Sequence, residues 1–277
     1  MKRATKNLIK RILGRSFLDE NVNAQTIIDF HGVKFFAGKT NKIEAKLLNA
    51  HGYDRQNLTV CQSFIRPGDI CLDVGANIGV YSVLMAKWAG PSGNIHAFEP
   101  VDHIRRKLKL NIRLNGFSNV TVNPIALGEK EGFVSMNQVK EGQFRGGTST
   151  LTQNENVLEM CSDKFESVQV SLKTVDSYIA ESKLERIDFA KIDIEGYEIN
   201  FLLGAEQLLT EHRPIIVMEH NQRRLKFLGI EEKRFEEIFK KAQYRCFELL
   251  GVDDECYFIP YYFDRKMHGM NLACIPY

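Results

Sequence analysis

Asp73 closes a short apolar run, and Gly75 and Gly79 follow it in the segment LDVGANIGVYS (72–82). An apolar strand ending in an acid and a glycine turn has the layout of a nucleotide-binding strand-to-helix turn. Gly75 can take a positive φ and lets a ligand approach the backbone. Gly79 allows close packing where a helix starts. The spacing Gly75-x-x-x-Gly79 lacks the third glycine of a dinucleotide fingerprint. Asp73 would repel a pyrophosphate and welcome a cation. Glu99 ends the next apolar run, in HAFEP. A carboxylate there can take both hydroxyls of a ribose through charge-assisted hydrogen bonds. The ordered pair of acids suits an adenosine ligand with a positive centre and no phosphates, and S-adenosylmethionine meets that description. The plain alternative is a glycine turn beside two solvated acids; the strand context favours the ligand.

The elements that must position these residues follow from the apolar pattern. From residue 68 onward, short apolar runs alternate with helical stretches. The spacing predicts strands at 69–74, 94–98, 119–123, 189–194, 214–218, 244–249 and 272–275. It predicts helices at 79–88, 103–115, 198–209 and 233–241, with Gly116 as a C-terminal cap. Repeated strand-then-helix order means an α/β sheet covered on both faces. The polar, Gly-rich stretch 128–172 breaks the pattern and reads as an insertion over the ligand edge. Residues 24–38 read as a hairpin and 42–50 as a helix, so 1–60 is expected to be a cap on one main domain, 61–277.

Composition narrows the class. The chain has 277 residues, 44% hydrophobic and 26% charged, which is globular rather than disordered. A net charge of +2 gives no global case for nucleic-acid binding. No apolar window reaches the roughly eighteen residues of a spanning helix. The six cysteines form no CxxC pair, which argues against zinc clusters and thioredoxin chemistry. They read as reduced thiols in a cytoplasmic protein without a secretory signal. Lys2, Arg3, Lys6, Lys10, Arg11 and Arg15 precede the first acid, with apolar residues at helical spacing between them. Residues 1–18 are therefore read as a basic amphipathic helix. Docking on the domain is the favoured role; peripheral contact with an anionic membrane is the sharper one.

The segments LDVGANIGVYS (72–82), HAFEPVDHIRRKLKLNIRLN (96–115), VSLKTVDSYI (170–179), DFAKIDIEGYEINFLLGA (188–205) and PIIVMEH (214–220) come in this order. Together they resemble the FkbM-type family of S-adenosylmethionine-dependent methyltransferases. The resemblance implies a class I, Rossmann-like methyltransferase fold: seven mostly parallel strands, one antiparallel near the C-terminus, helices on both faces. It implies methyl transfer, usually to oxygen, on sugars, polyketides or related metabolites. It places Asp73, Gly75, Asn77 and Gly79 on the cofactor loop, Glu99 on the ribose, and Ala126 with Leu127 near the adenine. Asp193 is implied to face the transferable methyl. Tyr197 stands where the family pattern usually has Ala.

Methyl transfer from a sulfonium is an in-line displacement that needs alignment and exclusion of water. A hydroxyl acceptor must also lose a proton. Asp193, Glu219 and His220 are the candidates, and His220 suits a general base by its unperturbed pKa. Its plain alternative is a histidine bonded to a loop carbonyl. A divalent ion on Asp193, Glu195, Glu219 and His220 is the less favoured reading, because spacing across two strands is no signature. The expected partner is a small-molecule or glycan acceptor and not nucleic acid. A non-catalytic cofactor-binding or partner subunit is the main alternative function. A nicotinamide-dependent oxidoreductase is a third, weakened by the missing glycine.

Overall fold

The structure is a computed structural model that describes residues 25–38, 42–48, 53–139, 165–252, 255–268 and 270–277. The basic stretch 1–18, His51, Cys161 and the middle of the 128–172 insertion lie outside the described residues.

Chain order gives hairpin β1 (Gln25–Phe30) and β2 (Val33–Gly38), then α1 (Lys42–Leu48) and α2 (Arg55–Phe64). The α/β part follows with β3 (Ile70–Val74), α3 (Val80–Ala89), β4 (Asn94–Phe98), α4 (Asp102–Asn115) and β5 (Val120–Asn123). Next come β6 (Ala126–Leu127), β7 (Gly132–Val139), β8 (Phe165–Lys173) and α5 (Val175–Ser182). The second half holds β9 (Phe189–Ile192), α6 (Glu198–Leu203), β10 (Ile215–Glu219), α7 (Gln222–Leu228) and α8 (Lys233–Lys241). It closes with β11 (Tyr244–Val252), β12 (Glu255–Pro260) and β13 (Asn271–Pro276).

The main sheet runs β12-β11-β13-β10-β9-β3-β4-β5. Strands β5, β4, β3, β9 and β10 pair in parallel, and β13 is antiparallel to both β10 and β11. This is the expected antiparallel strand near the C-terminus. The sheet has eight strands rather than seven. The extra one is β12, which folds back on β11 and exposes Tyr257, Phe258 and Ile259. That half-exposed run has no strand period against a core, so the pattern did not mark it. The chain leaves β3 toward β4 on one side and returns at β9 on the other. The carboxyl ends of β3 and β9 therefore flank the crevice where open α/β sheets bind ligands.

Alternation along each strand splits the core into two layers. Cys71, Ile95, Ala97, Phe189 and Val217 face α2, α3 and α4. Leu72, Val74, Phe98, Ala190, Ile192, Ile216 and Met218 face α5, α6 and α8. The strands are buried on both sides, which is why they read as continuous apolar runs. Cys71 is fully buried among core side chains, and burial pushes its thiol pKa up. Gly116 at φ 70 closes α4, with Phe117 N–H bonded to Ile112 O at 3.4 Å.

Two expectations change. The boundary at 60/61 cuts through α2, whose Leu58, Val60 and Cys61 share one core with hairpin residues Phe30, Val33 and Phe35. The hairpin is also tied to α4, where Asn111 Oδ1 accepts from Phe36 N–H at 2.8 Å. The helix expected over 198–209 stops at Leu203. Gly204 packs on the next layer there: a Cβ would stand 2.1 Å from the carbonyl oxygen of Gly128. A short π-helical turn, Leu208–His212, follows. The described parts of the insertion, β7 and β8, join β6 in a three-stranded sheet. Tyr197 packs on its small core of Val101, Ala126, Met136, Val170 and Leu172.

Candidate active site

Asp73 leaves β3 pointing at the first turn of α3, where its Oδ2 accepts from Ser82 Oγ at 2.5 Å. The carboxyl is buried, and burial pushes its pKa up to about 6 against the bond from Ser82 and the charge of Lys191. The glycine turn then locks onto β4. Gly75 N–H and Ala76 N–H both donate to Phe98 O, at 3.2 and 2.9 Å. Asn77, at φ 50, turns its own N–H onto Glu99 Oε2 at 3.0 Å. Asparagine is among the few side chains that tolerate this left-handed region. Val101 N–H donates to Glu99 Oε1 at 2.8 Å. The first turn thus aims the acid of the second strand. Burial pushes Glu99 up to about 7, opposed by those backbone bonds and by Arg105.

The two glycines have different neighbours. A Cβ on Gly79 would meet Leu108 Cδ1 of α4 at 2.4 Å, which is close helix packing. A Cβ on Gly75 would stand 2.0 Å from the carbonyl oxygen of Asp193. Gly75 is therefore required by the backbone of the β9 turn across the crevice, at φ +84.

The β9 turn supplies the second group of acids. Asp193, Glu195 and Glu219 bring one carboxylate oxygen each within 4.8 Å of one another. Asp193 Oδ2 lies 3.2 Å from Lys191 Nζ. Arg224 of α7 bridges the other two, bonding Glu195 Oε2 and, at 2.6 Å, Glu219 Oε2. Burial and then the charge of Asp193 push Glu219 up to about 8, with Arg224 opposing. Glu198 does a different job. Its buried Oε1 accepts from Ile194 N–H at 3.1 Å and Gly196 N–H at 3.2 Å, bracing the turn that carries Asp193 and Glu195.

His220 is separated from this group, which corrects its reading as general base. The pleat sends Glu219 to one face of the sheet and the next residue to the other. The His220 side chain has 0% exposure, with Nε2 3.1 Å from Glu232 Oε2. Its ring lies against Phe235, Phe263 and Tyr261 at centroid distances of 4.9, 5.5 and 5.8 Å. The ring is closed off from solvent among these side chains. Ala126 is buried in the core of the second sheet, paired with Leu172.

The sequence reading missed residues on the acid face. Tyr81 hydroxyl donates to Asp54 Oδ2, which draws the segment before α2 over the crevice. Tyr53 sits there too: burial, then the charges of Asp54 and Asp193, push its hydroxyl pKa up. Lys191 carried a signal of its own, an ammonium inside an apolar four-residue strand. Arg224 carried none, since nothing in the sequence pairs it with Glu195 and Glu219.

The residues fit an adenosyl ligand with a positive centre. Each Glu99 oxygen accepts one backbone N–H and keeps a lone pair for a diol. Asp73 near the end of β3 and Asp193 just past β9 outnumber the one buried ammonium between them, Lys191, which suits a cation and disfavours phosphates. Together, the sheet order with its reversed β13 and the acid-ended glycine turn define a class I, Rossmann-like methyltransferase fold. Residues 73–246 match the Methyltransferase FkbM domain, more than half of the chain, and the chain belongs to that family.

Relatives agree with this. The chain is 28% identical over 161 residues to the 31-O-demethyl-FK506 methyltransferase FkbM of Streptomyces tacrolimicus, covering 51% of this chain and 61% of that one. It is 29% identical over 212 residues to the AMB antimetabolite synthetase AmbE of Pseudomonas aeruginosa, covering 64% of this chain and only 10% of that protein. The crystal structure of methyltransferase FkbM from Methylobacillus flagellatus shares the fold at a TM-score of 0.50 and 17% identity, covering 79% of this chain and 47% of that one. Among the described residues no helix is long and apolar enough to cross a membrane.

Proposed function

We propose that this chain O-methylates a hydroxyl on a sugar, polyketide or related metabolite, with Glu219 as proton acceptor and Asp193 positioning the acceptor. The observation that carries this reading is the pairing of Asp193 and Glu219 at the carboxyl ends of adjacent strands beside the glycine turn. S-adenosylmethionine, when bound, supplies a methyl group already activated on a positively charged sulfur. Asp73, Gly75, Asn77, Gly79, Glu99 and Ala126 are the residues that would hold it. Glu219 would take the hydroxyl proton in its ionised form, whose share grows as pH rises through about 8, and the raised pKa makes that form a stronger base than an ordinary carboxylate. Arg224 holds that carboxylate in place. The Streptomyces relative names an oxygen as its methylation site, which supports the oxygen reading.

A divalent ion on Asp193, Glu195 and Glu219 is the competing way to lower the acceptor's pKa. Arg224 already supplies Glu195 and Glu219 with a cation of the chain's own, and Lys191 does so for Asp193. The test is transfer from methyl-labelled S-adenosylmethionine into fractionated extract of the source cell, with mass analysis of the product. Label on oxygen, unaffected by a chelator, supports the proposal. Label on nitrogen or carbon, or loss on chelation with recovery on adding a divalent ion, contradicts it.

A further inference from the structure

We infer that Lys191 is a positioning residue for the reaction, its buried ammonium fixing the Asp193 carboxylate at the mouth of the site. The inference rests on the reading that Asp193 faces the reacting groups.

The strand register sets up the arrangement. Lys191 pairs with Asp73 on β3 and with Val217 on β10. Paired residues of neighbouring strands point to the same face, and Asp193, two residues on, shares it. Lys191, Asp73 and Asp193 therefore line one face. Lys191 itself is 1% exposed. Burying an ammonium costs several kcal/mol unless acids meet it. Here Nζ is 3.2 Å from Asp193 Oδ2 and 5.0 Å from the centroid of the Tyr81 ring. The hydroxyl of that ring binds Asp54. Burial alone would lower the ammonium's pKa, yet the charges of Asp193 and Asp54 outweigh it and the net direction is upward.

The consequence falls on Asp193. Its side chain is 40% exposed, so by itself it would swing between rotamers in solvent. The ammonium engages one oxygen from below, which leaves the carboxylate its other oxygen for a bound molecule. The lysine also balances acids that would otherwise repel one another. Lys191 cannot reach solvent, so it acts through Asp193 and does not itself touch the acceptor.

A double-mutant cycle tests this. The probes are methyl-labelled S-adenosylmethionine at saturation and one accepting fraction of the source cell's extract. Lys191→Met, Asp193→Asn and the double variant are compared for turnover, and calorimetry gives their affinity for S-adenosylmethionine. Lys191→Met should lower turnover about ten- to a hundredfold, the scale of a misplaced catalytic group. Its cofactor affinity should stay within about threefold, a split that a general loss of structure does not produce. The double variant should be no slower than Asp193→Asn alone, because residues acting as one unit are not additive. Full turnover in Lys191→Met beside an impaired Asp193→Asn overturns the inference and leaves the role of Asp193 standing. Multiplied losses in the double variant overturn it as well. Full turnover in Asp193→Asn removes the underlying reading, and the inference with it. If Lys191→Met does not fold, Lys191→Gln, which keeps length and a donor without the charge, enters the same cycle with the same outcomes.

Discussion

Asp193 and Glu219 end neighbouring parallel strands, one step beyond the register pair Ile192 and Met218, and bring carboxylate oxygens within 4.8 Å of each other. Two acids this close in a half-buried site cannot both ionise freely. Lys191 beneath one and Arg224 beside the other answer that repulsion. The pair is thus held in separate environments, which is how a site assigns different roles to two carboxyls.

His220→Ala should be a stability variant. It removes a ring packed among Phe235, Tyr261 and Phe263 and strips Glu232 of a partner. Loss of such buried contacts costs about 2–4 kcal/mol. Denaturant melts should show that loss, while turnover of the folded variant stays within severalfold of wild type. A hundredfold loss of turnover at unchanged stability would restore His220 to the site.

Glu99→Ala should weaken binding of S-adenosylmethionine at least tenfold by calorimetry, since charge-assisted bonds contribute about 1.5–3 kcal/mol each. Burial pushes this carboxyl up to about 7, and its ionised form is the better acceptor for hydroxyls. Affinity should therefore strengthen as pH rises from about 6 to about 8 in wild type, and less so in the alanine variant. Equal affinities at all pH values would remove the ribose assignment.

Stability of the ligand-free protein should run the other way with pH. Burial raises Asp73 to about 6, and Glu99 and Glu198 to about 7, above their unfolded values. The folded state then holds these protons more tightly than the unfolded one. Their contribution is fully present below the unfolded pKa values and is lost as pH rises through about 6 to 7. Melting temperature should fall across that window, and Glu198→Gln should flatten the fall. A melting temperature that rises there would contradict the burial of these acids.

Gly75→Ala should damage the site through the backbone. The new Cβ would stand 2.0 Å from the Asp193 carbonyl at a φ of +84. A non-glycine residue in such a conformation costs about 1–3 kcal/mol before any clash is counted. Both cofactor affinity and turnover should drop, with a lower melting point. Gly79→Ala shares the backbone strain, at a φ of +89, but its Cβ would meet the end of a leucine side chain, Leu108 Cδ1, rather than the Asp193 carbonyl, and so should disturb Asp193 less.

What the sequence made legible was whatever burial writes into a period. Strands β3, β4, β9 and β10 are apolar on both faces, and the acids at their ends interrupt those runs visibly. Asp73, Glu99, Asp193 and Glu219 could be found that way. The face each acid takes was not legible at β10, because Glu219 and His220 are adjacent and only the register decides which one joins Asp193. Arg224 and Asp54 reach the site from elements whose packing no local pattern encodes. Strand β12 stayed hidden because most of its residues face solvent.

The most direct test of the account is the pH dependence of methyl transfer in wild type and Glu219→Gln, measured with labelled S-adenosylmethionine and one accepting fraction, with and without a chelator. Burial and Asp193 raise Glu219 to about 8, so the ionised base accumulates as pH increases through that value. Wild-type turnover should climb across this range and ignore the chelator. Glu219→Gln should be slower by about a hundredfold or more, should lose the climb, and should keep its affinity for S-adenosylmethionine. A Glu219→Gln enzyme with wild-type turnover and an unchanged pH profile would contradict the assignment of Glu219 as proton acceptor.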